Sequence, residues 1–255
     1  MKFYLQRLTM SLALVFCCFM ATALPAMADT EPNPDRWKFG GSAYLWAAGV
    51  EGTDSAGDEI DVSFSDILED LDGGLMGIIS ARKGKWTLLA DLIYLSIHQE
   101  TSSTANIIGV PEKIDVDVKL KGFISTFGVA YRVIEDEMTR LDLLVGARYF
   151  YLSVDLDTDV GGSKISGSDS EDVLDAIIGS QVILNLSDRW YLSCYADVGA
   201  GDSKLTWQAW PGIGYRLKHV DVVAGYRHLA WKSDDGDAIG DINFSGPMIG
   251  VKLRF

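Results

Sequence analysis

From residue 36 onward, apolar and polar positions alternate with a period of two, the pattern of strands with unlike faces. In the run 205–217, Leu205, Trp207, Ala209, Pro211, Ile213, Tyr215 and Leu217 oppose Thr206, Gln208, Trp210, Gly212, Gly214 and Arg216. The run 139–154 likewise sets Leu141, Leu143, Val145, Ala147, Tyr149 and Tyr151 against Asp142, Gly146 and Arg148. Following the pattern predicts ten strands, at 36–50, 73–83, 85–98, 114–133, 139–155, 173–186, 189–201, 204–217, 219–232 and 242–255. A change of phase near Gly122 predicts a bulge in the fourth.

The connections alternate as well. Tight links at 82–85, 134–138, 187–188 and 217–218 take turns with long polar ones at 51–72, 99–113, 156–172 and 233–241, apart from the short 201–204. Short turns at one end and long loops at the other is the organisation of outer-membrane barrels. A soluble barrel also alternates its strands, but it turns the apolar face inward and the polar face to water. Here the apolar set is nearly free of charge, which suits lipid. The polar set is rich in Gly with charges of both signs, which suits a narrow filled lumen. The expected fold is all-β: a single antiparallel transmembrane β-barrel of ten strands, with eight or twelve as fallbacks.

Aromatic residues fall at two levels. Trp37, Trp86, Tyr131, Trp190, Tyr215 and Phe255 lie near the short turns, and Trp46, Tyr94, Tyr151, Trp207 and Trp231 lie towards the long loops. Rings at two levels match two lipid headgroup zones, although the phasing turns Trp46 and Trp231 inward. Trp86 to Tyr94 is eight residues. At ~3.3 Å rise and about 45° tilt this is roughly 19 Å, a little short of the ~25 Å apolar band.

The last nine residues, 247–255, place Ile249, Val251, Leu253 and Phe255 on one face and stop at an aromatic. This resembles the C-terminal signal by which outer-membrane barrels are recognised for assembly. With Gly225-Tyr226-Arg227, Ser245-Gly246-Pro247 and the stretch 61–72, the chain resembles a family of small, largely uncharacterised outer-membrane β-barrel proteins of the OmpW and OmpA-barrel type. The resemblance implies fold and location and brings no catalytic motif.

The N-terminus supports that address. Lys2 and Arg7 precede an apolar stretch from Leu8 to Leu24, and Ala26-Met27-Ala28 supplies a small-x-small end. Residues 1–28 are expected to be a cleaved signal peptide and 29–255 the barrel domain. Phe16 before Cys17 argues against lipoprotein processing. Cleavage would take the formal charge from −14 to −16 and leave Cys194 as the single cysteine, which excludes an intramolecular disulfide and a cysteine-cluster zinc site. The acidic balance, 36 acids to 22 bases, argues against a nucleic-acid partner.

Candidate chemistry sits in two places. Lys38, Arg82, Asp91, Arg132, Asp142, Arg148, Asp197, Arg216, Asp221, Arg227, Lys252 and Arg254 are expected to point inward, as a selective polar path or as a salt-bridged plug. Barrels near eight strands are mostly filled by side chains, which favours the plug. In the acidic segment 51–72, Phe64, Ile67, Leu68 and Leu71 share a helical face behind a Ser63/Asp66 capping box. That segment is expected either to gate the mouth or to rest on the rim.

Histidines are few after the leader: His98, His219 and His228. Outer-membrane proteases of ten strands carry an Asp–His pair, and no Asp-x-His occurs here. Nor is a Ser/His lipase pattern evident, so no catalytic residue, cofactor or dedicated metal ligand is predicted. The expected partners are outer-membrane lipid, lipopolysaccharide and the barrel-assembly machinery, with divalent cations at the acidic loops. Two functions follow: a structural or surface protein with a filled lumen, or a narrow channel for small solutes or ions.

Overall fold

In the computed structural model, which describes residues 36–54, 59–107, 110–160, 162–233 and 239–254, the alternating runs become strands of one sheet that closes on itself. The elements are β1 Lys38–Trp46, β2 Gly49–Asp54, β3 Glu59–Val62, α1 Phe64–Glu69, β4 Leu71–Lys83, β5 Trp86–Ile107 and β6 Val110–Glu135. There follow β7 Thr139–Val160, β8 Ser163–Asn185, β9 Trp190–Gly201, β10 Leu205–Arg216, β11 Val220–Lys232 and β12 Ile239–Arg254. From β4 to β12 each strand pairs antiparallel with the next, β1 pairs with β4, and β12 returns to β1 from Gly40↔Arg254 to Trp46↔Met248.

β2 continues the line of β1 along the same partner, with Val50 opposite Phe244. The two together form one wall position, so the barrel has ten strands. At the break between them Ala47 N donates to Pro247 O at 2.9 Å. Gly246 stands against this kink, where a Cβ would collide with the Ala47 carbonyl. β3 folds back on β2, and α1 leads from there into β4. Gly84, at φ 57°, makes the tight link from β4 to β5.

The outward positions are apolar and open. Phe39, Ile79, Val145, Leu174, Ile178 and Ile249 are each more than half exposed. At the short-turn end, Trp86 meets Tyr131 edge-on at 4.8 Å and Trp190 meets Tyr215 at 4.7 Å. At the other level, Tyr94 is exposed and Trp207 stacks on His228 at 4.5 Å. Such a band of exposed apolar side chains bounded by aromatics is an interaction surface.

Three expectations need correction. The segments 99–113 and 156–172 are mainly strand: β5 pairs with β6 up to Ile107↔Val110 and β7 with β8 up to Val160↔Ser163. Val154-Asp155-Leu156-Asp157-Thr158-Asp159-Val160 keeps strict alternation, and its acidity does not break the strand. The four strands β5–β8 therefore run well past the aromatic level. The 13 residues from Leu95 to Ile107 alone extend on the order of 40 Å along the strand. The bulge expected near Gly122 is absent, since Gly122 stays in register with both Leu95 and Leu152. The irregularity in β6 lies between Arg132 and Ile134 instead. Finally, the helix stops at Glu69, and Leu71 opens β4 rather than completing the helical face.

Candidate functional site

Period two sends every second side chain of ten strands into a narrow interior, where charges must find partners or leave. Arg227 of β11 is the hub of one cluster. It donates to Gln208 Oε1 (3.0 Å from Nε, 2.6 Å from Nη2), to Tyr44 Oη at 2.9 Å and to Asp91 Oδ2 at 2.9 Å. Tyr44 in turn donates to Asp91 Oδ1 at 2.5 Å. The Arg227 guanidinium also lies 4.8 Å from the Trp46 ring centre. Strands β1, β5, β10 and β11 are thereby joined across the lumen.

Arg148 of β7 is the hub of a second cluster. It is wholly buried and donates to Asp197 Oδ2 at 2.5 Å, to Thr206 Oγ1 at 2.9 Å and to Thr126 Oγ1 at 3.4 Å. Asp175, also wholly buried, accepts from Ser203 N at 3.0 Å, Ser203 Oγ at 2.9 Å and Trp231 Nε1 at 3.2 Å. Each carboxylate is held by charge-assisted or multiple donors, which is how a buried charge is tolerated.

Towards the long-strand end, the interior turns apolar. Trp46, Ile93, Ile124, Phe150, Leu229, Trp231 and Ile242 form one buried cluster, with Phe244 packed against it. Phe150 and Trp231 are 5.0 Å apart, and Phe244 meets Trp231 edge-on at 6.1 Å. Leu229, Arg148, Thr206 and Asp175 are fully buried. Two charged clusters topped by aromatic rings thus obstruct this cross-section.

The opposite end is wetter and more basic. Arg132 donates to Asp142 at 2.8 Å and to Glu135 at 2.6 Å, and Arg82 donates to Glu135 at 3.1 Å. Arg140 lies 3.5 Å from Asp142. Arg216 donates to Asn185 at 2.6 Å and lies 4.7 Å from the centre of the Tyr191 ring, whose hydroxyl donates to Asp221 at 3.2 Å. Gly214 leaves the room this needs, since a Cβ there would strike the Tyr191 ring.

Of the residues expected inside, the structure brings Asp91 to Arg227, Arg148 to Asp197 and Arg132 to Asp142. Lys252 lies opposite Asp221 in register. Lys38 differs: it is exposed at the barrel end, opposite Arg82. The side chains of Arg254 and Phe255 lie outside the described residues, as do residues 1–28. Ile249 is exposed, while Val251 and Leu253 are half-buried along β12. Sequence reasoning missed Tyr44, Glu135, Arg140, Asp175, Thr206 and Gln208. Alternation was the available signal, because these positions share a face or a register pair with charges that were picked out: Asp175 lies opposite Arg148, and Thr206 and Gln208 share the face of Arg216.

The α1 capping box is present, with the Asp66 amide donating to Ser63 Oγ at 3.3 Å and the Ser63 amide to Asp66 Oδ2 at 3.3 Å. Of the four residues expected to gate the mouth, Ile67 is buried, Phe64 and Leu68 are exposed, and Leu71 lies in β4. Beyond the aromatic level, the outward face of β5–β7 is polar. Asp115 there is held below the usual carboxylate range by hydrogen bonds from Lys113 and Ser102. On the same face, His98 lies beside Glu100 and Asp117.

No family model matches the chain, and neither does any curated protein. Among solved structures it is similar to the outer membrane protease OmpT from Escherichia coli, with a TM-score of 0.50 and 12% identity over 89% of this chain and 99% of that one. It is also similar to the translocator domain of the autotransporter NalP from Neisseria meningitidis, with a TM-score of 0.46 and 14% identity over 97% and 98% of the two chains. A third likeness is to Ail, the attachment invasion locus protein of Yersinia pestis, at a TM-score of 0.36 and 12% identity over 86% and 98%. At such identities the likeness is one of fold: a closed antiparallel barrel of the kind found in outer membranes.

Proposed function

We propose that this protein is an integral barrel of the Gram-negative outer membrane that acts as a structural or surface-presenting protein, with its lumen occupied. The observation that carries the reading is the interior itself. Arg148 and Arg227 bind carboxylates, hydroxyls and an amide from opposite walls, and an aromatic cluster covers them. A ten-stranded wall has little lumen to spare, and here that lumen is taken by side chains. The exposed apolar band meets lipid, residues 1–28 are the leader removed on export, and both chain ends face the periplasm.

Other parts of the molecule take their roles from that placement. The β5–β8 extension carries its polar face outside the membrane, where lipopolysaccharide is the neighbouring surface. The alternation of Ile249, Val251 and Leu253 serves recognition by the barrel-assembly machinery. Catalysis forms no part of the proposal. The fold likeness to a protease brings no residue with it.

A narrow channel for small solutes or ions, on the resemblance to OmpW-type barrels, is the second reading. It is favoured by the half-exposed basic end around Arg82, Arg140 and Arg216. To conduct, the Arg148 and Arg227 clusters and the aromatic rings above them would have to part, and α1 would have to move if it gates the mouth.

Surface presentation is tested by labelling intact cells with a membrane-impermeant maleimide. In a Cys194→Ser background, Ser166→Cys on the extension is expected to react, and Lys218→Cys at a short turn to react only after the outer membrane is opened. Reaction in the reverse order would overturn the orientation.

A further inference from the structure

Outside the barrel interior, the sheet extension places three metal-binding side chains together. His98 and Glu100 are two apart on β5 and so share a face, and Asp117 of β6 is the register partner of Glu100. His98 Nε2 is 3.0 Å from Asp117 Oδ1 and 3.6 Å from Glu100 Oε1. All three donor atoms lie within 4.8 Å of one another. Ligand atoms about 2.1 Å from a tetrahedral ion are about 3.4 Å apart, so one ion fits among them.

A second observation points to a ligand. His98 Nε2 and Asp117 Oδ1 are turned against each other at 3.0 Å, in side chains that are 33% and 31% exposed, and that contact lacks the geometry of a hydrogen bond. A cation bound to both atoms from one side would satisfy them better than they satisfy each other. The surroundings favour that role. Lys119, the register partner of His98, has its Nζ 3.6 Å from the other oxygen of Asp117. The backbone amide of His98 donates to Asp70 O at 3.0 Å, fixing the strand at this point. Asp157 stands opposite Asp117 on β7 and adds negative charge on the same face.

We infer that His98, Glu100 and Asp117 form a binding site for a divalent transition-metal ion of the zinc class, with water completing its shell. One imidazole nitrogen and two carboxylate oxygens suit such an ion better than Ca²⁺, which takes about six to eight oxygens, or Mg²⁺, which keeps most of its waters. The site is separate from the occupied lumen and stands whether or not the barrel conducts. It joins adjacent strands of the extension, so the ion would also stiffen that part of the sheet.

The test is calorimetric titration of Zn²⁺ into the folded protein in detergent micelles, with Mg²⁺ as the comparison and Co²⁺ absorption as a probe of ligand geometry. One equivalent of Zn²⁺ is expected. His98→Gln and Asp117→Asn should each weaken it by roughly tenfold to a hundredfold or more, while His219→Gln leaves it unchanged. Heat-modifiable gel migration confirms that each variant is folded. The inference is overturned if the unaltered protein shows no saturable Zn²⁺ binding, if Mg²⁺ binds equally well, or if folded His98→Gln retains full affinity.

Discussion

Arg148→Met is expected to lower the folding stability of the barrel by about 3–5 kcal/mol, because it strands Asp197 in a dry interior without its counter-charge. Methionine approximates the aliphatic part of the arginine side chain, so most of the loss is electrostatic. Arg148 donates to Asp197, Thr206 and Thr126 from three different strands, and none of these bonds reaches water. Equilibrium urea unfolding in lipid vesicles measures the effect. The double variant Arg148→Met/Asp197→Leu should recover much of the loss, since removing both charges also removes the cost of burying either. A single variant as stable as the parent would mean that water reaches this site, and with it the occupied lumen would fall.

Trp231→Ala is expected to cost about 3–5 kcal/mol as well, but for a different reason. The ring packs on Phe150 at 5.0 Å and on Phe244, so truncation empties a large volume in the apolar cluster. Its Nε1 also donates to Asp175, which would keep only Ser203. Trp231→Phe separates the two contributions: it keeps most of the packing and gives up the hydrogen bond, for about 1–3 kcal/mol. The same urea measurement ranks the three proteins. If the phenylalanine variant is as unstable as the alanine one, the ring packing is not what holds this level.

Alternation carried most of the fold. The ten strands follow from period two, because a strand with one wet and one dry face cannot hide its phase. The inward charges were legible on the same basis, since Arg148, Arg227 and Asp197 each lie two positions from a glycine (Gly146, Gly225 and Gly199), on the face opposite the apolar outward set. Their partnerships were not. Tyr44 and Asp91 are 47 residues apart, and Arg227 lies a further 136 residues beyond Asp91, so only closure brings them together. The apolar upper interior was legible in part, through the inward phasing of Trp46 and Trp231.

Where the reading failed, composition had outweighed period. The run 154–160 alternates as strictly as any membrane strand, yet its acids suggested a loop. Exposed strands above a membrane need no apolar face, so polarity there says nothing against pairing. At Gly122 a change in which face was apolar suggested a bulge. The register runs straight through, because the surroundings of β6 change from lipid to water while its geometry does not. The proposed metal-binding triad was missed for the same reason: with 99–113 taken as a loop, Glu100 fell outside the strands and His98 faced the start of the next strand at 114, so Asp117 was not placed beside it.

The central claim is that side chains close the barrel. Single-channel recording of the folded protein in planar bilayers tests it most directly, with heat-modifiable migration confirming that the inserted protein is folded. The account predicts a quiet bilayer at applied voltages that open narrow pores. Discrete, reproducible conductance steps from the unaltered protein would contradict it, because the Arg148 and Arg227 clusters and the rings above them would then have to open a path for ions.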